Sequence, residues 1–380
     1  MRAGNGPRRA AMLALAMSRA LSIALLAVPV AALADGSMHG MSHPAGNVEL
    51  FLTLRGTQVT GPASSGETDE DAWELGDLVF AAEHGRWRLM GEYNLSTEEH
   101  DFERLQVGYE PVPDTLLWIG RFHQPGSAWN NEFHHGPYLQ TAISRPSIEF
   151  WEDEDGPIPQ HLSGFMGESR LPLGAGAGVR AALGVGYGSS ISATGLEPIG
   201  VLDSNGSGHH VSITAHVAWL PTYLGQSSAG FLFGHHLSGV LDPGLRLRLG
   251  ASEVGMSVVG AYVDGVRERD RVLAVVYRIG VDLDAGTGTV GSEHFDAGYL
   301  QLEKGLPHAL TAYVRHENTA SAGSSRYVQS LAEELVLHGT TLGLRLDLPH
   351  HQALTVEAGR ITEVEGRMDR LRIQWSAALP

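Results

Sequence analysis

Apolar and polar residues alternate along most of this chain. In "WRLMGEYNL" (87–95), Trp87, Leu89, Tyr93 and Leu95 alternate with Arg88, Met90, Glu92 and Asn94. In "LRIQWSAAL" (371–379), Leu371, Ile373, Trp375, Ala377 and Leu379 share one face, and Arg372, Gln374 and Ser376 the other. Leu105, Val107 and Tyr109 alternate with Arg104, Gln106 and Glu110. Further apolar stripes run through Leu273, Val275, Tyr277, Ile279, Val281 and Leu283, and through Leu342, Leu344, Leu346 and Leu348. A period of two is the signature of strands with one apolar face.

Two architectures produce such strands. A soluble sandwich turns the apolar face inward, whereas a membrane barrel turns it outward and lines its lumen with polar groups. The segments are about 10 residues long, which suits a tilted bilayer crossing better than a soluble sheet. Tyr and Trp recur near strand ends, as in "TLLWIGRF" and "TAHVAWLPTYLG", where an interfacial girdle would sit. Short turns at 83–86, 110–115, 302–309 and 348–353 tend to alternate with long connections at 58–71, 124–157, 188–208, 284–293 and 317–334. The pattern predicts an all-β fold: a closed transmembrane antiparallel β-barrel of about 16 strands. Residues 228–283 can be divided into strands in more than one way. The outward apolar face is expected to carry Ile373, Leu344 and the Leu273–Leu283 stripe.

Composition sharpens this picture. Glycine is abundant, at 48 of 380 residues, and only 18% of residues are charged. No cysteine is present, which excludes disulfides and thiolate metal sites. Residues 1–34 begin with Arg2, Arg8, Arg9 and Arg19, continue through a short apolar run and end in Ala32-Leu33-Ala34. These are the parts of a cleaved secretory signal. The run is short for a membrane anchor and contains Pro29. The signal holds four arginines and no acid, so its removal takes the net charge from −17 to −21. Such a balance argues against a nucleic-acid partner. The domain plan is a signal peptide (1–34), a flexible tail (35–46) and a barrel (47–380). Outer-membrane barrels commonly end on an aromatic residue, and this chain departs from that by ending "QWSAALP".

One block stands apart from the strand pattern. Residues 118–164 contain Gly120-Arg121-Phe122, Trp129-Asn130, Phe133-His134-His135-Gly136, Ile143-Ser144-Arg145-Pro146, the acids from Glu152 to Asp155, and a G-x-x-P-x-H run from Gly156 to His161. This block resembles that of a poorly characterised family of proteobacterial outer-membrane porin-like barrels. It covers about an eighth of the chain. The resemblance implies a channel-like barrel in the outer membrane of a Gram-negative cell, surrounded by lipid and lipopolysaccharide. It brings no substrate with it.

On that reading the long connection at 124–157 is a loop folded into the lumen as a constriction. Its Trp129, Phe133, Tyr138, Ile143, Ile148, Phe150 and Trp151 give it material to pack. Glu149, Glu152, Asp153, Glu154 and Asp155 would form an acidic edge, and Arg121 and Arg145 a basic one. An alternative is that Arg145 pairs with Glu149 and only pins the loop, or that the loop caps the outer surface. His134, His135 and His161 complete the candidate constriction.

The chain has 19 histidines, with pairs at His134–His135, His209–His210, His235–His236 and His350–His351. Neighbours in a strand point opposite ways, so such a pair is no ready chelate. The tail holds Met38, His39, Met41 and His43, a set whose thioether and imidazole groups suit copper.

Passive diffusion of small polar solutes or ions is the expected activity, and it needs no cofactor. The acidic balance mildly favours cations. Barrels of this size often assemble as homotrimers, although no interface is visible in the sequence. Two other classes stay open. An enzyme would need a Ser–His site, and no G-x-S-x-G elbow is present. A structural barrel sheathing a partner would conduct nothing.

Overall fold

The computed structural model describes residues 47–60, 70–96, 100–133, 136–152, 156–198, 210–332, 334–364 and 366–379. In chain order its strands are β1 (Asn47–Thr60), β2 (Glu70–His84), β3 (Trp87–Ser96), β4 (His100–Val112), β5 (Thr115–His123), β6 (His161–Pro172) and β7 (Gly178–Tyr187). A small hairpin of β8 (Ser190–Ser192) and β9 (Gly195–Glu197) follows. Then come β10 (Val211–Leu220), β11 (Ser228–Gly239), β12 (Glu253–Arg267), β13 (Asp270–Asp284), β14 (Thr289–Gly305) and β15 (Leu310–Ala320). The chain ends with β16 (His338–Leu348), β17 (Gln352–Thr362) and β18 (Arg367–Leu379).

All but β8 and β9 join one closed barrel of 16 strands. Each pairs antiparallel with its neighbours, and β1 closes onto β18 from Leu50↔Leu379 to Thr60↔Asp369. Closure leaves no edge, so every wall strand finds ladder partners on both sides. The region 228–283 resolves into β11, β12 and β13, with a helix between the first two.

The turns at one barrel end are short. Gly85, Asp114, Glu268, His350 and His351 there adopt φ values between 53° and 62°. The His350–His351 pair is therefore spent on a turn. The pair at 235–236 splits across the wall: His235 is exposed, whereas His236 is 1% exposed inside. Trp87 and Trp219, both exposed, lie next to short turns, which fits an interfacial belt. Some glycines make room for rings on the neighbouring strand. A Cβ on Gly260 would lie 2.7 Å from the Tyr277 ring.

The outer surface carries the expected apolar band, including Ile119, Phe165, Phe231, Val276 and Leu342. One expectation fails here. The stripe of Leu273, Val275, Tyr277, Ile279, Val281 and Leu283 points into the lumen and is buried, while Val272 and Val276 face outward. The reason is what the lumen contains. Loops from the open end fold inward, and their apolar residues need an apolar wall. Trp129, Phe133, Ile148, Trp151 and Ile158 of the 124–160 segment pack in one cluster with Val254, Met256 and Val258 of β12, the β13 stripe, and Phe295 and Tyr299 of β14.

Short helices complete this core: α1 (Ala128–Glu132), α2 (Pro243–Leu249) and α3 (Arg326–Leu331). Helix α2 has Asp242 at its N-cap, accepting from the Leu245 amide at 2.7 Å, Pro243 in its first turn, and left-handed Gly250 after it. These are standard start and stop signals. It contributes Leu245 and Leu249 to the core, and α3 contributes Tyr327, Val328 and Leu331. Among the described residues no helix is long and apolar enough to cross a membrane.

Candidate constriction and its anchors

The inward loop starts after β5 and ends at β6, three residues later than the boundary near Ile158 that the sequence suggests. Its neck is closed by the Gln124 amide donating to the Gln160 carbonyl at 2.9 Å. Two glycines of the block are required by close approach. Gly136 has φ +144°, and a Cβ there would lie 2.5 Å from the Phe51 ring on β1. A Cβ on Gly156 would collide with the Trp151 backbone.

Glu149 sits at the centre of the loop with no exposed surface. One carboxylate oxygen accepts from Ser127 Oγ at 2.8 Å, Tyr277 OH at 2.9 Å and Tyr299 OH at 3.1 Å. The other accepts from Asn130 Nδ2 at 3.1 Å and Trp151 Nε1 at 3.2 Å. Three of these donors belong to the loop and two to the wall. Burial pushes the Glu149 carboxyl up to about 7, while the donors pull it back. Glu152 is also buried. It accepts from the Gln160 amide at 2.8 Å and the His161 amide at 3.2 Å, and bonds Ser189 Oγ and His161 Nδ1. Burial opposes ionisation of Glu152, but the His161 charge and these hydrogen bonds hold its carboxyl below the usual range.

These two carboxylates therefore do not form an acidic edge toward water. A chain segment crossing a lumen must satisfy its polar groups internally, and Glu149 and Glu152 serve that need. Arg121 and His161 are buried in the wall as well. Arg145 is half-buried, with its guanidinium over the Phe150 ring at 6.0 Å and Nη1 donating to the Glu149 carbonyl at 3.4 Å. It meets the Glu149 backbone rather than the carboxylate. His134, His135, Asp153, Glu154 and Asp155 lie outside the described residues, as do Met38, His39, Met41 and His43 of the tail.

The wall supplies anchors that the sequence reading missed. Glu357 of β17 accepts from the Ile143 and Ser144 amides at 3.0 and 3.1 Å. Arg315 of β15 donates to the Ser144 carbonyl and hydroxyl, each at 2.7 Å. Glu317 accepts from the Ser147 amide at 2.8 Å. Arg345 of β16 donates to the Tyr138 carbonyl at 2.7 Å, and Glu303 of β14 accepts from Thr141 Oγ1 at 2.7 Å. The available signal was position parity. Arg345 and Glu357 each stand between apolar neighbours of the outer face, which turns them inward, whereas Glu317 lies between His316 and Asn318 and carries no such signal.

Among the described residues, the lumen differs between two stretches of the wall. Against β12–β14 it is filled by the apolar cluster around the loop. Toward β15–β18 a polar cavity of about 60 Å³ opens between the loop and the wall. Arg145, Arg315, Arg370 and Arg372 line it together with Glu317, Glu334, Glu357 and Glu363. Both signs of charge thus border one narrow space.

The fold is that of the outer-membrane porins. An anion-selective porin from Comamonas acidovorans superposes with a TM-score of 0.59 at 12% identity, covering 88% of this chain and 99% of that one. The outer-membrane channel DcaP of Acinetobacter baumannii gives 0.52 at 12% identity, over 88% and 97%. OmpT, an outer-membrane protein of Vibrio cholerae, gives 0.54 at 9% identity, over 90% and 100%. No family model and no curated protein matches the sequence.

Proposed function

We propose that this chain is an outer-membrane channel for passive diffusion of small polar solutes or ions. The carrying observation is the division of the lumen. An apolar core fixes the loop against β12–β14, and Arg145 of the loop meets arginines and glutamates on and beside β15–β18 across a polar cavity. Opposed charges across a narrow passage orient polar solutes through a transverse field. In this reading Arg145 tunes that field from the loop, a role its position in the cavity lining supports. The described cavity carries both signs in balance, so a strong ion preference is not expected from it. Asp153, Glu154, Asp155, His134 and His135 belong to the same constriction in this reading. Residues 1–34 act as the export signal and 35–46 as a tail. The likeness of fold to channel proteins and to an OmpT trimer form supports an outer-membrane location and a homotrimer.

One observation favours a second reading. This polar cavity of about 60 Å³ holds only a few waters, so a solute crosses it only if the loop or its wall contacts shift. A barrel that stays closed would be a structural sheath. Single-channel recording in a planar bilayer separates the two. Discrete open steps support the channel, and their reversal potential in a salt gradient gives its selectivity. A barrel that inserts and stays electrically silent overturns it.

A further inference from the structure

Three potential metal ligands meet at the neck of the inward loop. His123 is the last residue of β5 and His161 the first of β6, and the two are register partners. Their rings lie 4.5 Å apart, edge to face. Glu103 joins them from β4, where the pairing with β3 shifts register between Glu92↔Arg104 and Tyr93↔Phe102. That shift makes Glu103 the extra residue of a bulge, a device that re-aims a side chain. One ligand atom from each of Glu103, His123 and His161 lies within 4.8 Å of the others. His161 Nε2 is 2.9 Å from Glu103 Oε2.

A second observation concerns the other side of His161. Its Nδ1 is held by Glu152, which is itself fixed by the Gln160 and His161 amides and by Ser189 Oγ. A buried carboxylate gripping the far nitrogen of an imidazole is the arrangement that orients metal-binding histidines. It leaves Nε2 directed at the space shared with Glu103 and His123. Arg121 lies within electrostatic reach of His161, and the carboxylates of Glu103 and Glu152 offset its charge.

We propose that Glu103, His123 and His161 form a binding site for a divalent transition-metal ion of the zinc class, with Glu152 as the positioning residue for His161. Two imidazoles and one carboxylate suit zinc and its neighbours and not calcium or magnesium. Coordination at about 2 Å per ligand draws the three groups together by side-chain adjustment. The ion would tie both ends of the inward loop to β4. This proposal does not depend on whether the barrel conducts.

The test uses the full chain folded in detergent, with His39→Ala and His43→Ala in the tail to remove competing ligands. Calorimetry with Zn2+ alone should find one tight site per barrel, and Co2+ should give the visible absorption of a nitrogen–oxygen site. His123→Gln and Glu103→Gln should each weaken Zn2+ binding at least tenfold. Glu152→Gln, which touches no metal, should weaken it by about 10–100-fold. Zn2+ should also raise the unfolding temperature of the parent chain and not that of Glu103→Gln. Absence of a stoichiometric site in the folded parent overturns the proposal. So does binding that survives unchanged in Glu103→Gln and His123→Gln barrels, whose folding is checked by heat-modifiable electrophoretic mobility.

Discussion

Glu149 makes loop docking a function of pH. Docked, its carboxyl is surrounded by five donors but has no solvent, and burial raises it to about 7. Released, it returns to the ordinary glutamate range of about 4.3. An acid raised on docking binds its proton more tightly in the docked state. Its contribution to docking is therefore fully present below pH 4 and is lost as pH rises toward 7 and above. The separation of somewhat more than two and a half units is worth about 3–4 kcal/mol, or several hundredfold in the docking equilibrium. In single-channel records the dwell time of the docked state should shorten by up to that factor between pH 4.5 and pH 8. Glu149→Gln should flatten this dependence. The amide keeps the side-chain volume, and Ser127, Tyr277 and Tyr299 carry hydroxyls that can turn to accept from it. Gating that is independent of pH in the parent chain would refute the reasoning. An unchanged slope in Glu149→Gln would move the response to another group.

Further outcomes follow from the same geometry. Arg315→Ala removes the donors to Ser144 and leaves Glu317 buried without its 2.8 Å partner. It should cost about 3–5 kcal/mol, read as increased proteolysis of the loop and larger, noisier conductance. Arg145→Ala removes one loop cation from the cavity and should shift reversal potential toward cations. The chain has no native cysteine, so single cysteines report facing cleanly. Val276→Cys should react with a maleimide dissolved in the bilayer, and Val275→Cys should resist both lipid- and water-borne reagents; equal labelling would contradict the assigned faces. Replacing residues 124–157 by a short Gly/Ser turn should lower folding yield and increase dye binding to exposed apolar surface, because it uncovers the inner stripe of β13; a fully stable, empty barrel would show that the inner core is dispensable.

Much of the wall was legible because alternation with one polar face leaves little choice. Leu342 and Leu344 against Thr341 and Arg345 could only be read one way, and the structure agrees. The β13 segment differs because both of its faces are apolar: Val272 and Val276 on one, Leu273 and Val275 on the other. Period alone cannot orient such a strand, since the choice depends on what fills the lumen. The inward loop was marked by prolines and aromatics at its own positions. The role of Glu149 was not, because the phenols that hold it stand 128 and 150 residues away. Glu103, His123 and His161 were equally scattered. Their meeting depends on a bulge that no local pattern announces.

A strand that is apolar on both faces could slide by one residue and present its inner stripe to lipid. In β13 this would turn Arg278 and Asp282, now outside, into a dry interior. Arg278 pairs with Asp296 of β14 on the outer surface, Nε to Oδ1 at 3.0 Å. On the outward face each charge of the pair is compensated by the other. Its weight falls on the slipped arrangement, where the buried guanidinium would lose its partner and several kcal/mol. The outward ion pair thus protects the register of a strand whose hydrophobicity cannot.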